Sequence, residues 1–251
     1  NVYDATTFGE MLKTENVEIV LWQDISYEGT DTVLCNSVNL NGYNLTCSNT
    51  LTLDSGKRTF SILDSQYSSD SSNTATFSEG INIDDGTLKI ESGVISVLRN
   101  TAKKVNPGIY GTGNVEFIGG NTTIKGGSDA VGSYGSTGKA GTNGFGGSSA
   151  YGTSGESGGR GGTGGKGYDG GDGIQVTNVT VYGGNVSASG GIGGTGGIGG
   201  TGGIGGTGGT NHYGGSGGNG GQGGTGGTGG TGGNGIQATN VIIYDGNISV
   251  K

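Results

Sequence analysis

Between positions 84 and 104 the chain places Asp84, Asp85, Lys89, Glu91, Arg99, Lys103 and Lys104. Carboxylates beside basic side chains are what cleavage of a polysaccharide requires: acids that hold calcium or work as an acid–base pair, and a base that takes a proton. The spacing gives these residues a plainer role. Asp84-Asp85 stands directly before Gly86, which is turn chemistry between two strands, and Lys103-Lys104 falls in a connector as a solvated pair. No enzyme, cofactor or metal is expected from this set. The sole histidine is His212, so the Cys–His spacing of a zinc site is absent. The glycine-rich stretches also lack the Gly-Lys-[Ser/Thr] ending and the strand-to-helix setting of a phosphate loop.

A second group of residues suits binding rather than catalysis. Ser148, Ser149, Ala150 and Tyr151 interrupt one long glycine-rich run, and Asn211, His212 and Tyr213 interrupt another. Exposed tips are where binding residues concentrate, and Tyr offers large contact area at low entropic cost. The alternative is that a hairpin simply needs a tip. Cys35 and Cys47 are the only cysteines; a disulfide closing that short segment and two buried thiols are both open. Asn44, Asn121, Asn178, Asn185 and Asn247 each head an Asn-X-Ser/Thr sequon, a candidate N-glycosylation site, in a number that composition alone accounts for.

The elements that must position these residues are written in the glycines. There are 65 in 251 residues, against one proline. That share is far above the ordinary ~7% and excludes a packed globule over the whole length, because glycine brings no side chain to a core. A single proline excludes the collagen helix, and 13% charged residues is a poor fit to charge-driven disorder. A net charge of −8 argues against nucleic acid or an anionic membrane as partner, and no apolar run is long enough for membrane insertion. Residues 1–107 hold seven glycines and residues 108–251 the other fifty-eight.

One pattern recurs along the chain, as Gly108-Ile-Tyr-Gly-Thr-Gly-Asn-Val, Gly173-Ile-Gln-Val-Thr-Asn-Val and Gly235-Ile-Gln-Ala-Thr-Asn-Val, with a looser copy from Gly80. Each copy reads as two or three short alternating strands punctuated by Gly, Asn or Asp, the pattern of one rung of a parallel β-helix. Ahead of them, Ala5, Phe8, Met11 and Leu12 share one helical face with Asp4 or Thr6 as N-cap, which predicts a short helix capping the solenoid. Strands are then expected over 17–25, 33–40, 43–47, 50–53 and 59–63. The last rung ends at Lys251 with no polar cap, so a longer parent protein or head-to-tail contact between copies is expected.

Between rungs, a Gly-Gly-X triplet runs in phase from Gly190 to Thr210 and again from Gly214 to Asn234. Glycine also falls at every third position from Gly132 to Gly147 and from Gly152 to Gly173. A period of three belongs to the extended left-handed helix with ~3.1 Å rise, which has no internal hydrogen bonds and is stable only beside neighbours that satisfy its amides. The expectation is four such arms packed in a bundle, with Tyr134 and Phe145 as anchors. The apolar ridge Ile192, Thr195, Ile198, Thr201, Ile204, Thr207 is expected to pack inward, and the ridge Ser216, Asn219, Gln222, Thr225, Thr228, Thr231 to face solvent.

With its Leu40-Asn-Gly-Tyr-Asn-Leu45 turn, the β part resembles the right-handed parallel β-helices of the pectate-lyase-like superfamily, in particular bacterial surface and adhesive domains. The resemblance covers roughly residues 1–127 and the two later rungs. The glycine arms resemble those of receptor-binding adhesins at the tail-fibre tips of T-even-like phages and of snow-flea antifreeze proteins. The expected fold is therefore all-β: a right-handed parallel β-helix with a short N-terminal capping helix and polyglycine-II hairpin insertions. Its parts are a capped β-helix at 1–127, hairpins at 128–172 and 190–234, and single rungs at 173–189 and 235–251. The expected function is that of a non-enzymatic structural or adhesive protein, extracellular, at a cell surface or in a virion fibre. Its partners would be other copies, or a cell-surface glycan or protein. Ice binding and polysaccharide binding or degradation are the alternatives.

Overall fold

The computed structural model describes residues 1–53, 56, 58–99, 106–128, 154–209 and 214–251. They divide into two units: Asn1–Ser128 with Gly170–Ile192 and Gly232–Lys251, and Asp129–Asp169 with Gly193–Thr231.

The first unit is mainly β. One short helix, α1 (Ala5–Leu12), opens it, with Asp4 as N-cap accepting the amide of Thr7 at 2.8 Å. Phe8 and Leu12 are buried, and the Phe8 ring meets Tyr27 edge-on at 5.2 Å. The strands that follow form an eleven-stranded and a seven-stranded sheet, and every strand pair in both is parallel. The chain visits three ladders in turn and then repeats the circuit, which gives a solenoid-like stack. The first ladder holds Glu18–Val20, Ser37–Asn39, Arg58–Leu63, Gly86–Ile90 and Asn114–Phe117. The second is the seven-stranded sheet: Ile25–Tyr27, Leu45–Cys47, Thr74–Phe77, Val94–Leu98, Asn121–Lys125, Asn185–Ser189 and Asn247–Val250. The third holds Thr32–Val33, Leu51–Leu53, Ile81–Ile83 and Ile109–Gly111. Ile174–Val181 pairs with both Ile109–Gly111 and Asn114–Phe117, and so bridges the third and first ladders.

Side chains alternate in and out along each strand, and parallel register stacks the inward ones coil upon coil. On the second ladder Tyr27, Cys47, Phe77, Val97, Ile124 and Ala188 form one such buried column. In the last four coils the turn into this ladder takes a positive φ, and glycine stands there each time: Gly93, Gly120, Gly184 and Gly246. A Cβ on Gly120 would lie 2.5 Å from the carbonyl oxygen of Gly93, so sterics and φ both demand glycine.

Single strands over 17–25 and 33–40 are not found. Each stretch holds parts of two short strands with a corner between them, because a solenoid coil must turn within that length. Asp24 fixes one corner by accepting the Asn44 amide at 2.7 Å. Asp84 and Asp85 fill the corner between Ile81–Ile83 and Gly86–Ile90, as their turn chemistry implied. Both glycine-rich insertions leave from the second ladder, after Asn121–Lys125 and after Asn185–Ser189, and return to strands that begin at Ile174 and Ile236.

The second unit is built differently. Its described part is a first return arm (154–169), a second outward arm (193–209) and a second return arm (214–231); the other outward arm, with Tyr134, Lys139 and Phe145, lies outside the described residues. Gly155, Gly158, Gly161, Gly164 and Gly167 of the first return arm donate their amides to carbonyls of the second return arm, from Ser216 to Thr228, at 2.8–2.9 Å. The second return arm donates from the glycine at every third position, Gly215 to Gly230, to carbonyls of the second outward arm at 2.6–2.8 Å. The second outward arm closes the cycle, donating from Gly194 to Gly206 onto carbonyls of the first return arm, from Tyr168 back to Glu156, at 2.7–2.8 Å. Each of these three described arms thus gives to one of the other two and takes from the second.

Packing this close leaves no room for a side chain. A Cβ on Gly227 would sit 1.9 Å from the carbonyl oxygen of Gly165, and one on Gly199 2.1 Å from that of Gly224. The next ridge is permissive: a Cβ on Gly226 meets nothing nearer than 3.6 Å. Gly227→Ala is therefore expected to open the arms, since overpacking costs about 1–3 kcal/mol, and Gly226→Ala to leave them intact. Tryptic cleavage after Arg160 and Lys166 in the full chain should speed up about tenfold in the first variant and stay near wild type in the second. Equal rates in the two variants would contradict this packing.

Candidate functional site

The carboxylates and bases of the 84–104 region do not converge. Asp84 and Asp85 precede the strand Gly86–Ile90 and Glu91 follows it, so an extended strand of about 3.3 Å per residue holds them more than about 16 Å apart. An acid–base pair for glycoside cleavage needs about 5–9.5 Å. Glu91 accepts the Ser61 hydroxyl at 2.9 Å, and Lys89 stands in register between Ser61 and Glu116. Arg99 is buried; it donates to the Glu79 carbonyl and lies over the Tyr110 ring at 5.5 Å, a structural clamp on the corner after the second ladder. Lys103 and Lys104 lie outside the described residues. Among the described residues no group of three or more His, Cys, Asp or Glu side chains could hold a metal.

A disulfide between Cys35 and Cys47 is not formed. Both are free, buried thiols. Cys47 occupies the inward column between Tyr27 and Phe77, where its side chain serves as core packing. Burial pushes both thiols up to about 12, so neither is a nucleophile at neutral pH.

The sequon asparagines are drawn into the fold. Asn185 donates its side-chain amide to Asn121 and Asn247 donates to Asn185, at 2.6 and 2.8 Å. Asn178 bonds in the same way to Asn114, and Asn240 to Asn178, at 2.5 and 2.8 Å. Two asparagine ladders thus run up the last coils, and the nitrogen that would carry a glycan is the ladder donor in Asn178, Asn185 and Asn247. Asn44 donates the same nitrogen to Asp24 at 3.2 Å.

The tip residues Ser148, Ser149, Tyr151, Asn211, His212 and Tyr213 lie outside the described residues. What is described of the arms presents its side chains to solvent. Every described non-glycine side chain of the second unit is exposed, including Arg160, Thr163 and Lys166 on the first return arm and Asn219, Gln222 and Thr225 on the second. The expectation that the Ile/Thr ridge packs inward is overturned: Ile198 is 65% and Ile204 80% exposed. The close contacts between the described arms are taken by glycine, so the ridge that carries side chains points out whatever its polarity. The ridge with Ser216, Asn219 and Gln222 faces solvent as expected.

Reading the residues in order did not reveal the columns that register creates across coils. On the outward side of the second ladder, Ser26, Thr46, Thr76, Ser96, Thr123, Ser187 and Ser249 stand in one line through all seven strands. Tyr182 and Tyr244, on the turns into its last two strands, stack face to face at 5.1 Å and 7° and are exposed. The signal was present in the repeated Tyr-Gly-Gly-Asn-Val-Ser and Tyr-Asp-Gly-Asn-Ile-Ser, which only a known register turns into neighbours. No family model, curated protein or solved structure matches the chain.

Within the second unit, Asp169 ties the two return arms together. Its carboxylate accepts the Thr231 amide at 2.7 Å and faces the Lys166 ammonium at 3.2 Å. The Thr231 amide first, then the Thr231 side chain and Lys166, hold the acid below its ordinary range. A lowered folded value means that the tie contributes above the unfolded value of about 3.9 and is lost as pH falls through the folded one. The Thr231 amide proton resonance is expected to titrate with a midpoint below that of a free aspartate and to lose the transition in Asp169→Asn. A midpoint at or above the ordinary value would contradict the tie.

Proposed function

We propose that this chain is a non-enzymatic extracellular structural or adhesive protein: a right-handed parallel β-helix of pectate-lyase-like type that carries polyglycine-II hairpins as a display device. The observation that carries the reading is the inverted construction of the second unit. Its described interior is glycine backbone, and its described side chains all face outward. An enzyme needs side chains gathered in a water-excluding pocket, whereas contact with another surface needs them spread on a rigid scaffold. Partners in this reading are a cell-surface glycan or protein, or other copies of the chain. With both thiols free, the extracellular placement rests on the display surface and not on a disulfide.

The test is adhesion. Beads coated with the full chain are expected to attach to a panel of bacterial and animal cells more than albumin-coated beads do. The double variant Ile198→Lys, Ile204→Lys is expected to weaken attachment about tenfold without changing the circular dichroism spectrum. Attachment no better than albumin across the panel would sink the proposal.

The regular exposed Ile/Thr ridge favours one second reading, ice binding. Thermal hysteresis of a millimolar solution, lost in the same double variant, would replace the adhesive reading with that one.

A further inference from the structure

A cleft lies over the outward side of the last three strands of the second ladder, lined by Asn121, Thr123, Asn185, Ser187, Asn247 and Ser249. Thr123, Ser187 and Ser249 are exposed, and register sets them one coil apart, ~4.8 Å. The hydroxyl line continues below the cleft through Ser96, Thr76 and Thr46 to Ser26. Packing does not require it, since these positions point away from the core. Strand propensity does not supply it either, because four of the seven are serine, which strands do not favour. Ser and Thr make up 54 of the 251 residues, so composition alone does not fill seven successive positions. The other outward columns are mixed: Glu18, Ser37, Ser61, Lys89, Glu116 and Thr180 on the first ladder.

We propose that this cleft binds a linear, uncharged glycan lying along the solenoid axis. A hydroxyl and a carboxamide each donate and accept, and so does a sugar hydroxyl, so the two surfaces can satisfy each other in many registers. The cleft holds no carboxylate or cation of its own, which removes the reason for a charged ligand. Its amides and hydroxyls repeat at a fixed interval along one direction, which suits a polymer better than a single small molecule. The exposed Tyr182 and Tyr244, stacked on each other, stand on the turns three residues before the cleft residues Asn185 and Asn247, where their uncovered ring surface offers rigid apolar area to the CH face of a sugar ring. Backbone between these three strands is already paired within the ladder, so over Asn121–Lys125 and Asn185–Ser189 the ligand meets side chains, and only the outer edge of Asn247–Val250 offers backbone groups.

The experiment is affinity electrophoresis of the full chain through gels containing one soluble polysaccharide each: xyloglucan, glucomannan, a mixed-linkage β-glucan, or the acidic polygalacturonate. Retardation is expected in at least one neutral gel. Ser187→Arg, which fills the cleft from an exposed position, should weaken it at least about tenfold, and Tyr182→Ala should weaken it measurably. Gln175→Arg, exposed on the third ladder, should leave it unchanged and so controls for added charge. Ile198→Lys, Ile204→Lys should also leave it unchanged, which separates this site from the adhesive reading of the arms. If Ser187→Arg does not fold, Thr123→Arg replaces it. Wild-type mobility unaffected by every neutral polysaccharide, or retardation that survives cleft filling, overturns the proposal. So does retardation by polygalacturonate alone that salt abolishes, because it would assign binding to Lys125 and Lys251 beside the cleft.

Discussion

Neither kind of chain segment in this protein can satisfy its own backbone. A strand in a parallel ladder and a glycine arm of period three both point their amides and carbonyls sideways, so each is stable only when another segment lies alongside. Everything else in the structure answers that constraint. In the first unit the neighbour is the next coil, and inward Ile, Val, Leu and Phe columns add the apolar burial that makes stacking favourable. In the second unit there is no apolar interior among the described residues, and the neighbour must be another arm at backbone contact distance.

The two solutions differ in what they ask of side chains. The solenoid uses them on both sides: inward for the core, outward for ladders such as Asn121–Asn185–Asn247 that repeat one bond from coil to coil. The arms use none to hold together, apart from clasps such as Asp169 to Thr231. Contact is given over to glycine, at the high entropic cost that glycine carries, and the ridge that carries side chains is left free of any packing duty. That freedom lets Ile198, Thr201, Gln222 and Arg160 follow one another on exposed positions with no structural reason for their identity. Identities free of structural duty are the ones that binding can set.

Much of this was legible in the sequence, and the limits have physical causes. The Asp4 cap, the Asp84-Asp85 corner and the parallel rungs announced themselves because each depends on residues close in the chain. The corners at 21–24 and 34–36 were hidden, since the hydrophobic residues on either side run on without Gly or Pro to mark a bend. The outward direction of Ile198 and Ile204 was misjudged because apolar content was weighed ahead of three-fold geometry, and in a helix with two glycine ridges the geometry decides. The Tyr182–Tyr244 stack and the last steps of the hydroxyl line were invisible for another reason: insertions separate Lys125 from Ile174 and Ser189 from Ile236, so neighbours in space there lie more than sixty positions apart.

The central claim, that the arms are held by backbone bonds between neighbours at every third residue, is tested most directly by residue-resolved amide hydrogen exchange on the full chain. Protection is expected with a period of three: high at Gly155, Gly158 and Gly161, at Gly197, Gly200 and Gly203, and at Gly221, Gly224 and Gly227, and low at Gly220, Gly223 and Gly226 between them. Uniformly fast exchange along the arms would mean unpaired linkers, and protection without the three-residue period would mean a different architecture.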